Sequence, residues 1–218
     1  MVRNKFMAKL DELNDMLLEM GRSCETVIAM ATTALKNQDK KLAQETIEFD
    51  QQIDQMDKDI EALCLKLLLQ QQPVARDFRL VTAALKMISD MERIGDQSAD
   101  IAEISMYINK PFIKKLEHIP QMAEATIKMV GDAVKSYVES DLTLARSVVK
   151  QDDTVDELFA TVKTDLIELI RQDPENGEQA IDLIMIAKYF ERIGDHATNI
   201  AEWVEYSITG IHADDSKE

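Results

Sequence analysis

A chain of 218 residues with 41 Asp and Glu against 25 Lys and Arg carries a formal charge of −16 at pH 7. That balance argues against direct binding to nucleic acid, which needs clustered basic side chains to neutralise phosphates. It argues equally against unaided adsorption to an anionic membrane. With 45% hydrophobic residues but only 6 Gly, 4 Pro and 5% aromatics, the chain has the composition of a helical protein rather than a sheet. Its length suffices for one large domain or two small ones. The N-terminus turns acidic too early for a signal peptide, and no apolar run approaches a membrane span. A soluble, cytoplasmic protein without membrane insertion is expected. Cys24 and Cys64 sit within apolar helical patterns and read as small core residues, not as a disulfide.

Apolar residues recur at helical spacing between breaks at Asn37–Asp39, Pro73, Pro111, Pro120, Glu139–Asp141 and Pro174. Six long helices are predicted, over 4–37, 40–72, 76–109, 113–139, 141–172 and 177–208. In the second, Ile53, Met56, Ile60, Leu63 and Leu67 form the apolar stripe; in the third, Leu80, Ala84, Met87, Met91, Ile94, Ser98 and Ile101 do. The residues from Thr209 read as a frayed tail.

The six helices are two sets of three. A shift of 102 positions lays Asp39 on Asp141, Leu42 on Leu144, Asp50 on Asp152 and Asp54 on Asp156. A shift of 99 then lays ERIGDQSADIAE (92–103) on ERIGDHATNIAE (191–202), with eight of twelve positions identical. Helical periodicity alone would repeat apolar positions, not polar identities. The expected architecture is therefore all-α, with one three-helix repeat over 1–110 and a second over 111–218. Six amphipathic helices with 12 Met residues also suit a homodimer.

The repeated segment breaks local rules. Glu92, Asp96 and Asp100 stand at i, i+4 and i+8, and each adjacent like-charge pair costs about 0.2–0.5 kcal/mol on an exposed helix. Gly95 and Gly194, one residue before Asp96 and Asp195, each cost roughly 1 kcal/mol relative to Ala. Such a stretch, occurring twice, marks a functional constraint. On the helical wheel these acids lie on the shoulder of the apolar stripe, as do Glu191 and Asp195. Asp50 and Asp54 occupy the shoulder of the preceding helix, repeated by Asp152 and Asp156. If the second helix of each repeat faces the third, four carboxylates oppose one another. Such a group needs large pKa shifts or a cation between its members. Carboxylate oxygens suit Mg²⁺, Ca²⁺ or Mn²⁺ and also take iron or zinc. The plainer reading is a solvated acidic face.

Other chemistry is weaker. His196 is aligned with Gln97 and points away from the carboxylate shoulder, which reads as an exposed polar residue rather than a phosphoacceptor. His118 falls in a connection and His212 in the tail. There is no Glu-x-x-His, no glycine-rich phosphate loop, no nucleophile elbow and no HExxH, and no catalytic residue is assigned. A metal-dependent phosphohydrolase and a metal-storage helical protein stand as alternative functions.

Two three-helix units, QPVARDFR (Gln72–Arg79) entering the third helix, MERIGDQSADIAE and FERIGDHATNIAE together resemble the PhoU family of phosphate-signalling proteins over residues 5–208. The resemblance implies two pseudo-symmetric three-helix bundles side by side. It implies a cytoplasmic negative regulator of phosphate uptake and of the phosphate-starvation response, not an enzyme. Such a regulator links the ATPase subunit of the phosphate ABC transporter to a sensor histidine kinase. It also implies multinuclear iron or zinc clusters on the surface. Carried onto this sequence, Asp50, Asp54, Glu92 and Asp96, with Asp100, would hold the first cluster. Asp152, Asp156, Glu191 and Asp195, with Asn199, would hold the second. The replacement of Asp100 by Asn199 makes the two unequal. Arg76 and Arg79 have no second-repeat equivalents, and either face a partner or offset neighbouring acids.

Overall fold

The computed structural model describes residues 2–70, 74–108, 111–112 and 118–211, and only the backbone of residues 2–5 and 70. Six helices account for nearly all of it: α1 (Val2–Asn37), α2 (Lys40–Gln70), α3 (Ala75–Tyr107), α4 (His118–Glu139), α5 (Leu142–Gln172) and α6 (Gly177–Thr209). Where expected and observed ends both fall among these residues, they differ by one or two positions at most. Gln72, Pro73, the expected start of the fourth helix at 113 and the tail with His212 lie outside the described residues.

The ends show why the helices stop. At the α1–α2 junction Gln38 takes a left-handed φ of 51°, and at the α4–α5 junction Ser140 takes 52°. In each case two reversed hydrogen bonds close the helix. Asp39 N donates to Ala34 O (2.9 Å) and Gln38 N to Leu35 O (3.1 Å); Asp141 N donates to Ser136 O (2.9 Å) and Ser140 N to Tyr137 O (3.1 Å). The next residue caps the following helix: Asp39 Oδ1 accepts from Lys41 N and Leu42 N, and Asp141 Oδ1 from Leu144 N, all at 3.0 Å. The offset of 102 seen in the sequence is thus reproduced in backbone geometry. Pro120 lies in the first turn of α4, where its missing N–H is harmless. His118, expected in a connection, begins that helix. A short 3-10 turn, Pro174–Asn176, leads into α6, capped by Asp173 Oδ1 accepting from Glu175 N.

The helices form two antiparallel three-helix bundles side by side. Helices α3 and α6 pack together at the centre, α2 flanks α3, α5 flanks α6, and α1 meets α4. One continuous apolar core runs through both bundles, from Leu13 and Leu17 through Met87 and Met91 to Phe190 and Val204. Helix α3, wedged between α1, α2 and α6, is buried on a broad face that includes Gly95, Gln97, Ser98 and Ser105. Tyr137 Oη crosses from α4 to donate to Leu80 O (2.8 Å), and Cys24 Sγ lies 3.4 Å from Met91 O. Both cysteines are buried and free, as the apolar pattern requires. Among the described residues no helix is long and apolar enough to cross a membrane.

Removing a central ring should test this shared core. Phe190 is fully buried and Phe78 is 49% exposed. Phe190→Ala is expected to lower the unfolding free energy by about 3–5 kcal/mol. Phe78→Ala should stay within about 0.5 kcal/mol of the parent in urea unfolding.

Candidate functional site: two acidic clusters on the helix seams

Each cluster forms where the second helix of a repeat lies against the third. In the first repeat, the Asp50 side chain from α2 sits directly over Gly95 of α3. A Cβ at residue 95 would lie 2.3 Å from Asp50 Oδ1 and 3.2 Å from the Ile53 side chain. The glycine that looked like a helix defect is therefore the gap into which the carboxylate fits. Burial, reinforced by the fields of Asp54, Asp96, Glu92 and Asp100, pushes the Asp50 carboxyl up to about 7. Burial and Asp96 also raise Glu92, against the opposing pull of Arg93, with smaller contributions from Asp54 and Asp57.

The second repeat repeats this more loosely. Asp152 of α5 faces Gly194 of α6, where a Cβ would lie 3.0 Å from Asp152 Oδ1. Burial, with Asp195, Asp156, Glu191 and Asp153 around it, pushes Asp152 up to about 6. Asp195 is raised by burial and Glu191, partly offset by Lys188. Asp50, Asp54, Glu92 and Asp96 thus come together on one seam, and Asp152, Asp156, Glu191 and Asp195 on the other.

Basic side chains lie at both clusters. Arg93 Nη1 donates to Asp96 Oδ2 (2.8 Å) and its Nε is 3.4 Å from Glu92 Oε2. Lys188 pairs with Glu191 and stands over the Phe159 ring. Among the described residues, no three His, Cys, Asp or Glu side chains are drawn together as an ion's ligands would be.

Two observations nevertheless fit a hard cation. Asp50 Oδ1 is buried and has no hydrogen-bond partner among the described residues, an expensive state for a carboxylate oxygen. The ionisable groups whose fields reach it across the seam, Asp96, Glu92 and Asp100, are all carboxylates. The side chains that would hold an ion are Asp50, Asp54, Glu92 and Asp96 in one repeat, and Asp152, Asp156, Glu191 and Asp195 in the other. What the ion would supply is charge neutralisation.

Asp100 and Asn199 both make contacts across the α3–α6 seam. Asp100 adds only the weakest field at Asp50; its own carboxyl is raised by burial, and it accepts a hydrogen bond from Tyr189, with Arg192 nearby. Asn199 is directed at the other repeat, its Nδ2 donating to Asp90 Oδ1 (3.1 Å). Positions 90 and 189, and 100 and 199, are related by the 99-residue offset. The two contacts are therefore one contact repeated about the pseudo-twofold axis across the α3–α6 seam. His196, expected to be exposed, is mostly buried, with Nδ1 2.9 Å from the same Asp90 oxygen. Its sequence counterpart Gln97 is buried, with Oε1 unpartnered among the described residues.

Sequence reasoning missed Asp57, Asp90 and Tyr189. Asp57 was findable, three residues beyond Asp54 on the same helix face. Arg76 is exposed, and Arg79 lies beside Gly210 at the end of α6 with a buried, unpartnered Nε. Among the described residues neither pairs with an acid.

The two glycines should separate in their response to Ala. Gly194→Ala is expected to stabilise the chain by up to about 1 kcal/mol through helix propensity. Gly95→Ala should show no such gain, because the new methyl must displace the Asp50 carboxylate. Urea unfolding of both variants makes the comparison; equal gains would refute the close approach at residue 95.

Known proteins share this architecture. The family model described as "PhoU domain" matches twice, over residues 17–105 and 119–204. A phosphate-specific transport system accessory protein PhoU homolog from Clostridium acetobutylicum is 36% identical over 216 residues, covering 98% of this chain and 99% of its own length. The homolog from Aquifex aeolicus is 36% identical over 189 residues, 86% of each chain. The crystal structure of PhoU from Pseudomonas aeruginosa superposes with a TM-score of 0.89 at 34% identity, covering 94% of this chain and all of that one. That of the phosphate transport system regulatory protein PhoU from Streptococcus pneumoniae gives 0.90 at 27% identity, covering 96% and 99%. With both repeats matched and a relative 36% identical over 98% of the chain, the chain belongs to the PhoU family.

Proposed function

We propose that this protein is a cytoplasmic regulator of phosphate homeostasis, holding down phosphate uptake and the phosphate-starvation response when phosphate is plentiful. The observation that carries this is the end-to-end match to relatives named as accessory proteins of the phosphate-specific transport system. The role is exerted by contact: the protein links the ATPase subunit of the phosphate ABC transporter to a sensor histidine kinase. Two long helical bundles with a shared core offer a rigid surface for that task.

The acidic clusters are, in this reading, regulatory or structural metal sites. A cation at Asp50, Asp54, Glu92 and Asp96 would neutralise a face that otherwise repels an anionic partner. Iron or zinc suits the duplicated carboxylate pairs, and Mg²⁺, Mn²⁺ or Ca²⁺ the oxygen donors. The tighter seat over Gly95 favours the first site over the second.

Deleting the gene should raise expression of phosphate-starvation genes in phosphate-replete medium, read with a transcriptional reporter. Unchanged expression would overturn the regulatory role. Turnover of phosphate esters by metal-loaded protein, lost in Asp96→Ala, would replace it with an enzyme.

The metal reading has its own test in pH dependence. A carboxyl raised in the folded state binds its proton more tightly there than in the unfolded chain. The stability it contributes is therefore present at low pH and is lost as pH rises from the ordinary carboxylate range to about 7 for Asp50. In chelator, thermal stability should fall over that interval, and fall less in Asp50→Asn. A divalent ion should reverse the fall in the parent by replacing the protons. A parent and an Asp50→Asn variant with the same pH slope, or no effect of any divalent ion, would refute this account.

A further inference from the structure

The first acidic cluster lies on the α2–α3 seam; about half a turn round α2, on its seam with α1, is a second feature that the proposed function does not use. Two depressions of about 340 and 570 Å³ run end to end there, joined through Gln52 and Gln55. Their floor is soft and apolar, made by Met16, Met30, Phe49 and Met56, all partly exposed. Their rim carries Glu19, Glu45, Glu48 and Asp59 and no Lys or Arg. Among the described residues, Glu45 alone of these acids has a basic partner, Lys41 at 3.3 Å. Glu48 and Asp59 accept from the neutral amides of Gln44 and Gln55.

The second repeat shows how such a seam is closed from within. There Lys128 of α4 pairs with Asp132 and reaches across to Gln151 of α5 at 3.2 Å. Further along, His118 Nε2 approaches Asp165 of α5 at 3.9 Å. By the 102-residue offset, the positions of Lys128, Asp132, Gln151 and His118 are Thr26, Met30, Phe49 and Met16 in the first repeat. Both basic groups that bridge the second seam are thus absent from the first. Thr26 and Met16 stand in their place, and Met30 and Phe49 where Asp132 and Gln151 sit, ringed by acids.

We propose that the α1–α2 groove of the first repeat is a docking site for a basic amphipathic helix of a protein partner. The occupant follows from complementarity. An elongated trough between two antiparallel helices accepts a third helix by ridge-into-groove packing. A methionine-rich floor adapts to varied apolar side chains. The unneutralised acids select Lys or Arg along the flanks of that helix and steer its approach. The trough runs from Met16 to Met30 along α1, about 21 Å at 1.5 Å per residue, so it takes about four turns of helix. A second copy of this chain is a poor occupant, since at −16 it would bring more acid to the rim. The site stands apart from the phosphate reading and rests on the groove alone.

The test uses the full chain and a fluorophore-labelled Leu/Lys peptide of about 15 residues whose Lys and Leu segregate on a helix, the length set by the trough. The comparator is the same composition scrambled so that they do not segregate. One variant combines Glu19→Gln, Glu48→Gln and Asp59→Asn. A charge-matched control combines Glu124→Gln, Glu157→Gln and Glu168→Gln, exposed acids of the second repeat. The groove variant is expected to weaken the segregated peptide at least about tenfold, and the control less than about twofold. The scrambled peptide should bind weakly to all three proteins. Equal weakening by both variants, or equal binding of both peptides, would reduce the effect to bulk charge and overturn the proposal. So would a self-associated chain that the groove variant dissociates, because a second copy would then be the occupant. Unchanged helical circular dichroism confirms that the variants compared are folded.

Discussion

Because residue 95 has no side chain, the carboxylate of Asp50 lies against the α3 backbone in space a methyl would fill. Everything distinctive about the first seam depends on that approach. It buries a carboxylate oxygen without a partner, and it brings Asp50 and Asp54 within the field of Glu92 and Asp96. The local costs visible in the sequence, a glycine in mid-helix and acids stacked along one side, are consequences of one packing arrangement. Gly194 with Asp152 is a looser version of it. The two raised carboxyls follow the same order, Asp50 above Asp152.

The fold was legible because its signals are local. Helix ends were marked by prolines and by the polar junctions at Asn37–Asp39 and Glu139–Asp141, and the duplication by polar identities at fixed offsets. The acids could be placed on the helix shoulder because a helix converts spacing into direction. What spacing does not contain is the mutual arrangement of the two repeats. The contacts Asp90–Asn199, Asp90–His196 and Asp100–Tyr189 join residues about a hundred positions apart on helices whose facing surfaces no periodicity fixes. The Asp100/Asn199 difference therefore looked like a lost ligand. In the folded chain, Asn199 faces the other repeat, where its amide donates to an aspartate.

Duplication supplies a scaffold, and the two halves then diverge at their surfaces. The second repeat places Lys188 at its acidic cluster and Lys128 across its outer seam. In the first repeat, Arg93 lies at the cluster while the outer seam stays acidic and apolar. The α3–α6 seam and the common core remain the conserved mechanical element between them, in the sense that each half buries its third helix against the other's. The apolar core is continuous across the two bundles.

The junctions at Gln38 and Ser140 carry a consequence beyond chain reversal. Each is a two-residue closure pinned by reversed hydrogen bonds on one side and a capping aspartate on the other. A helix launched from such a fixed point has its rotational phase set at its first residue. One residue more or fewer would turn the whole of α2 by about 100° about its axis. The register of every side chain along α2, some 45 Å at 1.5 Å per residue, is thus indexed at a single corner. Chain length at these corners is held by phase, not by reach.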